Sequence, residues 1–217
     1  MYTNIPRFNR TQRTVHWLHS LSFLVLLGTG LSLYLPSLAS IVGNRLLFRQ
    51  IHIEAAIIFI FGPIIVARLG NWRSLKEDIR QTDLWEKTDF QWLRRIGRKS
   101  NPVLGIGRFN AGQKLNSIFT LVAGLLFLAT GVIMWQNPRF PQWLGENAIF
   151  LHDVLTWLVL VAWLGHLYFS AFHPATRESL RGMTLGWVKG DWANKHHNTW
   201  YAEMISRKST TKKQNGE

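Results

Sequence analysis

The sequence predicts an all-α integral membrane protein, a four-helix up-down bundle with a cytoplasmic interfacial loop and a C-terminal tail. Three observations carry this reading. The apolar residues gather into four long blocks, the basic residues collect between alternate blocks, and there is no cysteine among 217 residues. With 47% hydrophobic residues and 11 Trp, the chain has the apolar content of an ordinary domain. Its clustering into blocks points instead to membrane spans. The absence of Cys excludes disulfides, Cys-held iron–sulfur clusters, Cys-type zinc sites and covalent c-type haem. A formal charge of +13 would raise nucleic acid as a partner for a soluble protein. Here the charges flank apolar blocks, so lipid is the expected partner and nucleic acid is not.

Met1 to Arg13 is polar and basic, and the apolar block behind it runs on without a small-residue cleavage pattern, so it reads as a retained span. The four spans are expected at about Trp17–Leu35, Ile51–Leu69, Leu115–Trp135 and Ile149–Phe172, each close to the ~20 residues that cross a bilayer core. Pro36 follows the first span, and Asn137, Pro138 and Pro141 follow the third, which predicts two antiparallel hairpins. Three Lys or Arg precede the first span, ten lie between the second and third, and eight follow the fourth, against two and one in the short loops. The positive-inside rule then puts both termini and the long loop in the cytoplasm. Trp72, Leu75, Ile79, Leu84, Trp85, Trp92 and Leu93 lie among charges in that loop, as in helices resting at the interface. Residues 1–206 are expected as one membrane domain, and 207–217 as a disordered basic tail.

The chemistry is carried by histidine. His152 and His166 lie in the fourth span, 14 residues apart, which is about 21 Å of rise and about 1400° of rotation, so both point to nearly one face. Histidines inside a span are costly and normally look into the bundle, where they need a partner or ligand. Topology supplies a counterpart at each depth: His52 opens span two on the outer side, and His16 opens span one on the inner side. A single histidine at a span end is more often an interfacial hydrogen-bonding residue. Four at two matched depths favour two metal sites. Low-spin haem iron takes two imidazoles from opposite sides, and facing helices can provide them, with Gly28, Gly30, Gly62 and Gly131 allowing a flat macrocycle to approach. His19, one turn deeper than His16, competes with it as inner ligand or as a propionate partner. Zinc lacks a third ligand at either depth.

The segment Gly107-Arg108-Phe109-Asn110-Ala111-Gly112-Gln113-Lys114 resembles the signature of the gamma, cytochrome b subunit of respiratory formate dehydrogenases. His16-Trp17 with Thr29-Gly30, Thr130-Gly131-Val132-Ile133 with Trp135, and His152 with His166 recur at that family's spacing. So do Leu180-Arg181-Gly182-Met183, Trp192 to His197, and Trp200-Tyr201, so that the resemblance spans residues 7 to 203. It implies two b haems, an outer one on His52 and His152 and an inner one on His16 rather than His19, with His166. It also implies a quinone, menaquinone by expectation, beside Asn110, Gly112, Gln113 and His166. Formate would be oxidised by a separate molybdenum or tungsten subunit, with an iron–sulfur subunit delivering electrons to the outer haem. The setting would be the bacterial cytoplasmic membrane, with the three-subunit complex able to form a higher oligomer. The cytochrome b subunit of a nickel–iron hydrogenase is the neighbouring expectation, and a haem-free anchor the contrasting one.

Against the family pattern, this chain has His52-Ile53-Glu54-Ala55 where Pro and apolar residues are usual. Glu54 and Asp153 are therefore expected near the outer haem or a partner subunit. His196-His197 is expected to cover the inner haem or quinone mouth, or else to be a solvated interfacial segment.

Overall fold

The computed structural model describes residues 4–96 and 105–214. It is all-α with four helices long and apolar enough to cross a membrane, Arg10–Tyr34, Arg45–Leu69, Ala111–Trp135 and Gln142–Phe172. The described residues form two compact units, and the division falls just after Leu75.

The unit Asn9–Leu75 is a helical hairpin. Helix α1 (Arg10–Tyr34) passes through the short α2 (Pro36–Val42) into α3 (Arg45–Leu69). Asn9 caps α1 by accepting from the Gln12 amide, while the Gln12 side chain accepts from Asn9 N at 2.7 Å. That reciprocal box satisfies two helix-end donors and lets α1 begin well before its apolar block. Asn44 caps α3 in the same manner, accepting from Leu47 N. The start of α4 (Trp72–Asp83) is tied back to α1, because Asn71 N donates to Thr11 Oγ1 at 2.9 Å and Asn9 Nδ2 to Ser74 Oγ at 2.7 Å.

The second unit joins residues up to Phe8 with Lys76 onward. After α4 come α5 (Lys87–Arg94) and the span α6 (Ala111–Trp135). A single 3-10 turn at Asn137–Arg139 reverses the chain into α7 (Gln142–Leu167), which ends in a π-helical turn, Tyr168–Phe172. Helix α6 is capped by Asn110 and Gln113 through the same reciprocal box as α1. The long loop thus carries helices, as its interleaved apolar residues predict.

A small water-soluble core completes this unit. Strand β1 (Asn4–Pro6) pairs antiparallel with β2 (Trp187–Lys189), Ile5 opposite Val188. Helices α8 (Ser179–Thr184) and α9 (Gly190–His196) flank β2, and α10 (Asn198–Gln214) follows. Ile5, Val188, Ala193 and Trp200 form the core, with Trp192, Tyr201 and Met204 packed on it. The tail expected to be disordered from Arg207 is instead helical to Gln214, while 215–217 lie outside the described residues. Helix α10, once begun at Asn198, meets no Gly or Pro before Gly216, so propagation continues where composition alone argued for disorder. The hairpins bury small or polar residues, Ser22, Thr29, Ala55, Ala67, Ala123 and Thr130, and expose Leu21, Phe61, Leu121 and Val161. That distribution is inverted relative to a water-soluble bundle and suits helices solvated by lipid.

Candidate functional site

The two outer-ligand candidates sit in local environments that repeat. In the first hairpin His52 on α3 meets Thr29 on α1, with Nδ1 2.8 Å from Oγ1. In the second, His152 on α7 meets Thr130 on α6, again at 2.8 Å. Each threonine hydroxyl donates back along its own helix, Thr29 to Val25 O at 2.7 Å and Thr130 to Leu126 O at 2.8 Å. With its proton committed to a carbonyl, each hydroxyl faces the imidazole as an acceptor. The ring therefore carries its proton on Nδ1 and presents the Nε2 lone pair. The glycine after each threonine lies against the ring with room for no more than ordinary contact. A Cβ at Gly30 would lie 3.4 Å from His52 Cε1, and one at Gly131 3.8 Å from His152 Cε1. Phe127 packs edge-on to His152 at 4.8 Å between ring centroids. Neutral, Nδ1-anchored imidazoles with Nε2 offered are the donor type that haem iron takes, so these residues fit the group. Among the described residues no group of three or more His, Cys, Asp or Glu is placed to hold a metal ion.

His16 lies half-buried in the second turn of α1, and His166 lies exposed in the last turn of α7. His19 is engaged within its own hairpin, its ring 3.8 Å from that of Phe59 on α3. The His16 ring packs edge-on to Trp17, 5.3 Å between ring centroids. Glu54 is exposed and accepts from Gln50 Nε2 at 3.1 Å, the environment of a surface or partner-contact residue. Asp153 is half-buried on α7.

The expected quinone residues open α6. Asn110 Oδ1 accepts from Gln113 N, and Gln113 Oε1 from Asn110 N, both at 3.0 Å. The cap therefore uses the amide oxygens and leaves Nδ2 and Nε2 as donors for another group. Gly112 is required on packing grounds, since a Cβ there would lie 2.9 Å from Trp92 Cη2. An indole wall on α5 thus stands directly against the first turn of α6.

Two further arrangements escaped sequence reasoning. Lys114 Nζ donates to Asp89 Oδ2 at 2.7 Å and to Leu84 O at 2.6 Å, with both charged side chains almost wholly buried. The other is built on Arg7, whose Nη2 donates to Arg108 O at 2.9 Å, while Arg108 Nη2 donates to Arg7 O at 2.6 Å and pairs with Asp78 at 3.3 Å. Arg7 also donates to His197 Nε2 at 3.2 Å, and His197 Nδ1 donates to Gly107 O at 2.9 Å. The Arg7 guanidinium lies 4.9 Å from the Trp200 ring and 5.5 Å from that of Trp192. His197 thus locks the N-terminus, the segment before α6 and α9 together, the structural alternative to a role over a haem.

Burial, then the proximity of Arg108, pulls Arg7 down to about 9, with Asp78 opposing. Burial, then Arg7, holds His197 well below the ordinary imidazole value, and His196 adds to the fall. Arg7 titrates only under alkaline conditions, so its depressed value is a constant cost through neutrality. His197 acts in acid: below its ordinary value of 6.5 the unfolded chain takes up a proton that the folded chain refuses, so stability falls with pH. We expect the thermal unfolding midpoint of the detergent-purified protein to drop between about pH 7 and about pH 5. His197→Gln should flatten that drop, and an unchanged slope in the variant would remove His197 as its source.

Residues 7–186 match the prokaryotic cytochrome b561 family. The chain is 29% identical over 216 residues to the formate dehydrogenase cytochrome b556 subunit of Haemophilus influenzae, covering 95% of this chain and 86% of that one. It is 29% identical over 217 residues to the formate dehydrogenase cytochrome b556(fdo) subunit of Escherichia coli K12, covering 96% of each. Against the nitrate-inducible formate dehydrogenase cytochrome b556(Fdn) subunit of the same strain, identity is 26% over 231 residues, 98% of this chain and 96% of the other. With its four apolar spans, its cysteine-free imidazole donors and a match over most of its length, the chain belongs to the prokaryotic cytochrome b561 family.

Proposed function

We propose that the chain is the dihaem cytochrome b membrane-anchor subunit of a formate dehydrogenase complex. The end-to-end similarity to formate dehydrogenase cytochrome b556 subunits carries this reading. His52 and His152 would hold an outer haem b, and His16 and His166 an inner one. When bound, the two haems supply one-electron transfer between a periplasmic iron–sulfur subunit and a quinone, menaquinone by expectation, on the cytoplasmic side. The basic residues gathered at the termini and in the long loop support a cytoplasmic placement of both ends.

The chain's own part in quinone reduction is binding and positioning. Asn110 Nδ2 and Gln113 Nε2, the donors unused by the cap, suit a quinone carbonyl oxygen directly or through water. Gly112 lets the Trp92 ring stand directly against the first turn of α6, where it would wall the site. His166, on α7, is the fourth residue of this proposed site. Formate oxidation would belong to the molybdenum or tungsten subunit of the same complex.

The test is to tag the chain in its native membrane and purify the assembly. The expected result is copurification of an iron–sulfur and a molybdenum or tungsten subunit, with b-type bands reduced on adding formate. Reduction by hydrogen and not by formate would assign the chain to a hydrogenase instead. Reduced protein without Soret and α bands would make it a haem-free anchor.

A further inference from the structure

The threonine–histidine contact occurs twice, once in each hairpin, with the same chain logic. Thr29 precedes Gly30 on the first helix of its hairpin, and His52 answers from the second. Thr130 precedes Gly131 on the first helix of the other, and His152 answers from the second. The Oγ1–Nδ1 distance is 2.8 Å in both. Both hydroxyls also share their proton between two carbonyls of the preceding turn, the longer contacts being Leu26 O at 3.2 Å and Phe127 O at 3.3 Å. Both threonines are buried, at 6% and 4% exposure, so water does not compete for the imidazole proton. A Thr in a span can satisfy itself by back-bonding alone, so nothing in helix chemistry requires either to meet a histidine.

We infer that Thr29 and Thr130 are a matched pair of positioning residues that fix the tautomer and set the basicity of the two outer-haem ligands. The inference rests on the assignment of His52 and His152 to that haem. A hydroxyl that donates to a backbone carbonyl is polarised and becomes a better acceptor for Nδ1–H. An accepted Nδ1 proton raises the electron donation of Nε2, which favours ferric over ferrous iron and holds the potential down. The same bond stops the ring turning about its χ2 axis. A carboxylate would depress the potential further, and an apolar neighbour would leave a buried N–H without an acceptor.

Valine is the informative replacement, because it keeps the shape of threonine and removes the acceptor. Thr29→Val and Thr130→Val should each raise the midpoint potential of the outer haem and shift its low-spin ferric EPR g values. The inner haem should be unmoved, and Thr→Ser should restore native behaviour at each position. Loss of the outer haem in the Val variants with retention in the Ser variants supports the same role. Native potential and g values in both Val variants would overturn it, as would Ser variants as defective as Val, since packing would then be the whole effect. A pyridine haemochrome count on the native protein separates the two levels. A haem-free native chain defeats the ligand assignment, whereas two haems with unmoved potentials in the Val variants defeat only the threonine role.

Discussion

Replacing His52 or His152 with Ala should halve the haem content of the purified chain, from about two haems to about one, since a low-spin haem needs both axial imidazoles. Both variants should lose the same spectral component. His16→Ala and His166→Ala should lose the other, and the double variant across the two pairs should bind almost none. The size of the effect follows from where the ligands sit. Haem is held here without covalent attachment, since the chain has no cysteine, so its retention depends on iron ligation and on shape. His19→Ala should keep both haems, because the proposed inner pair is His16 with His166. The measurement is a pyridine haemochrome assay with reduced-minus-oxidised spectra on each variant. Loss of one component shared by His52 and His166 would break the pairing by depth, and loss of haem in His19→Ala with retention in His16→Ala would exchange those two residues.

What the sequence made legible follows from the range over which each signal acts. The spans are local and long, so hydropathy alone located them. The helices themselves run past the apolar blocks, since Asn9 with Gln12 and Asn110 with Gln113 cap α1 and α6 ahead of them. His152 and His166 announced a shared face because one helix holds both. The threonine contacts were less visible, since a hydroxyl in an apolar run is ordinary. The signal that would have found them is the repeated spacing, 23 residues from Thr29 to His52 and 22 from Thr130 to His152. The β1–β2 pair had no such signal. Three-residue strands are too short for a period, and the partners of Ile5 and Val188 lie at opposite ends of the chain. His197, expected either to cover the inner haem or quinone mouth or to lie in a solvated interfacial segment, is the acceptor for a buried arginine at the N-terminus, a relation that only the fold creates.

The ion pair of Lys114 with Asp89 should be worth more to stability than any exposed charge in the chain. Lys114 was read as the end of a motif and as one more positive charge in the long loop. In the structure its side chain is 9% exposed, that of Asp89 is 7% exposed, and Asp89 also accepts from Glu86 N at 2.9 Å. The pair fastens α5 to the first turn of α6, where Trp92 lies against Gly112. Breaking such a pair from one side leaves a charge buried without its counter-charge, which costs about 3–5 kcal/mol. Lys114→Met should therefore lower the thermal unfolding midpoint sharply and open residues 84–96 to proteolysis. Asp89→Leu should do the same, stranding the ammonium with only Leu84 O for company. The double variant should recover most of the loss, because replacing both charges by apolar groups removes the desolvation cost along with the attraction. If the two single losses simply add in the double variant, the two charges are not coupled. Quinone reduction adds a second readout: if Trp92 walls the proposed quinone site, the single variants should raise the quinone KM before they lose haem, since none of the ligand histidines lies on α5 or α6.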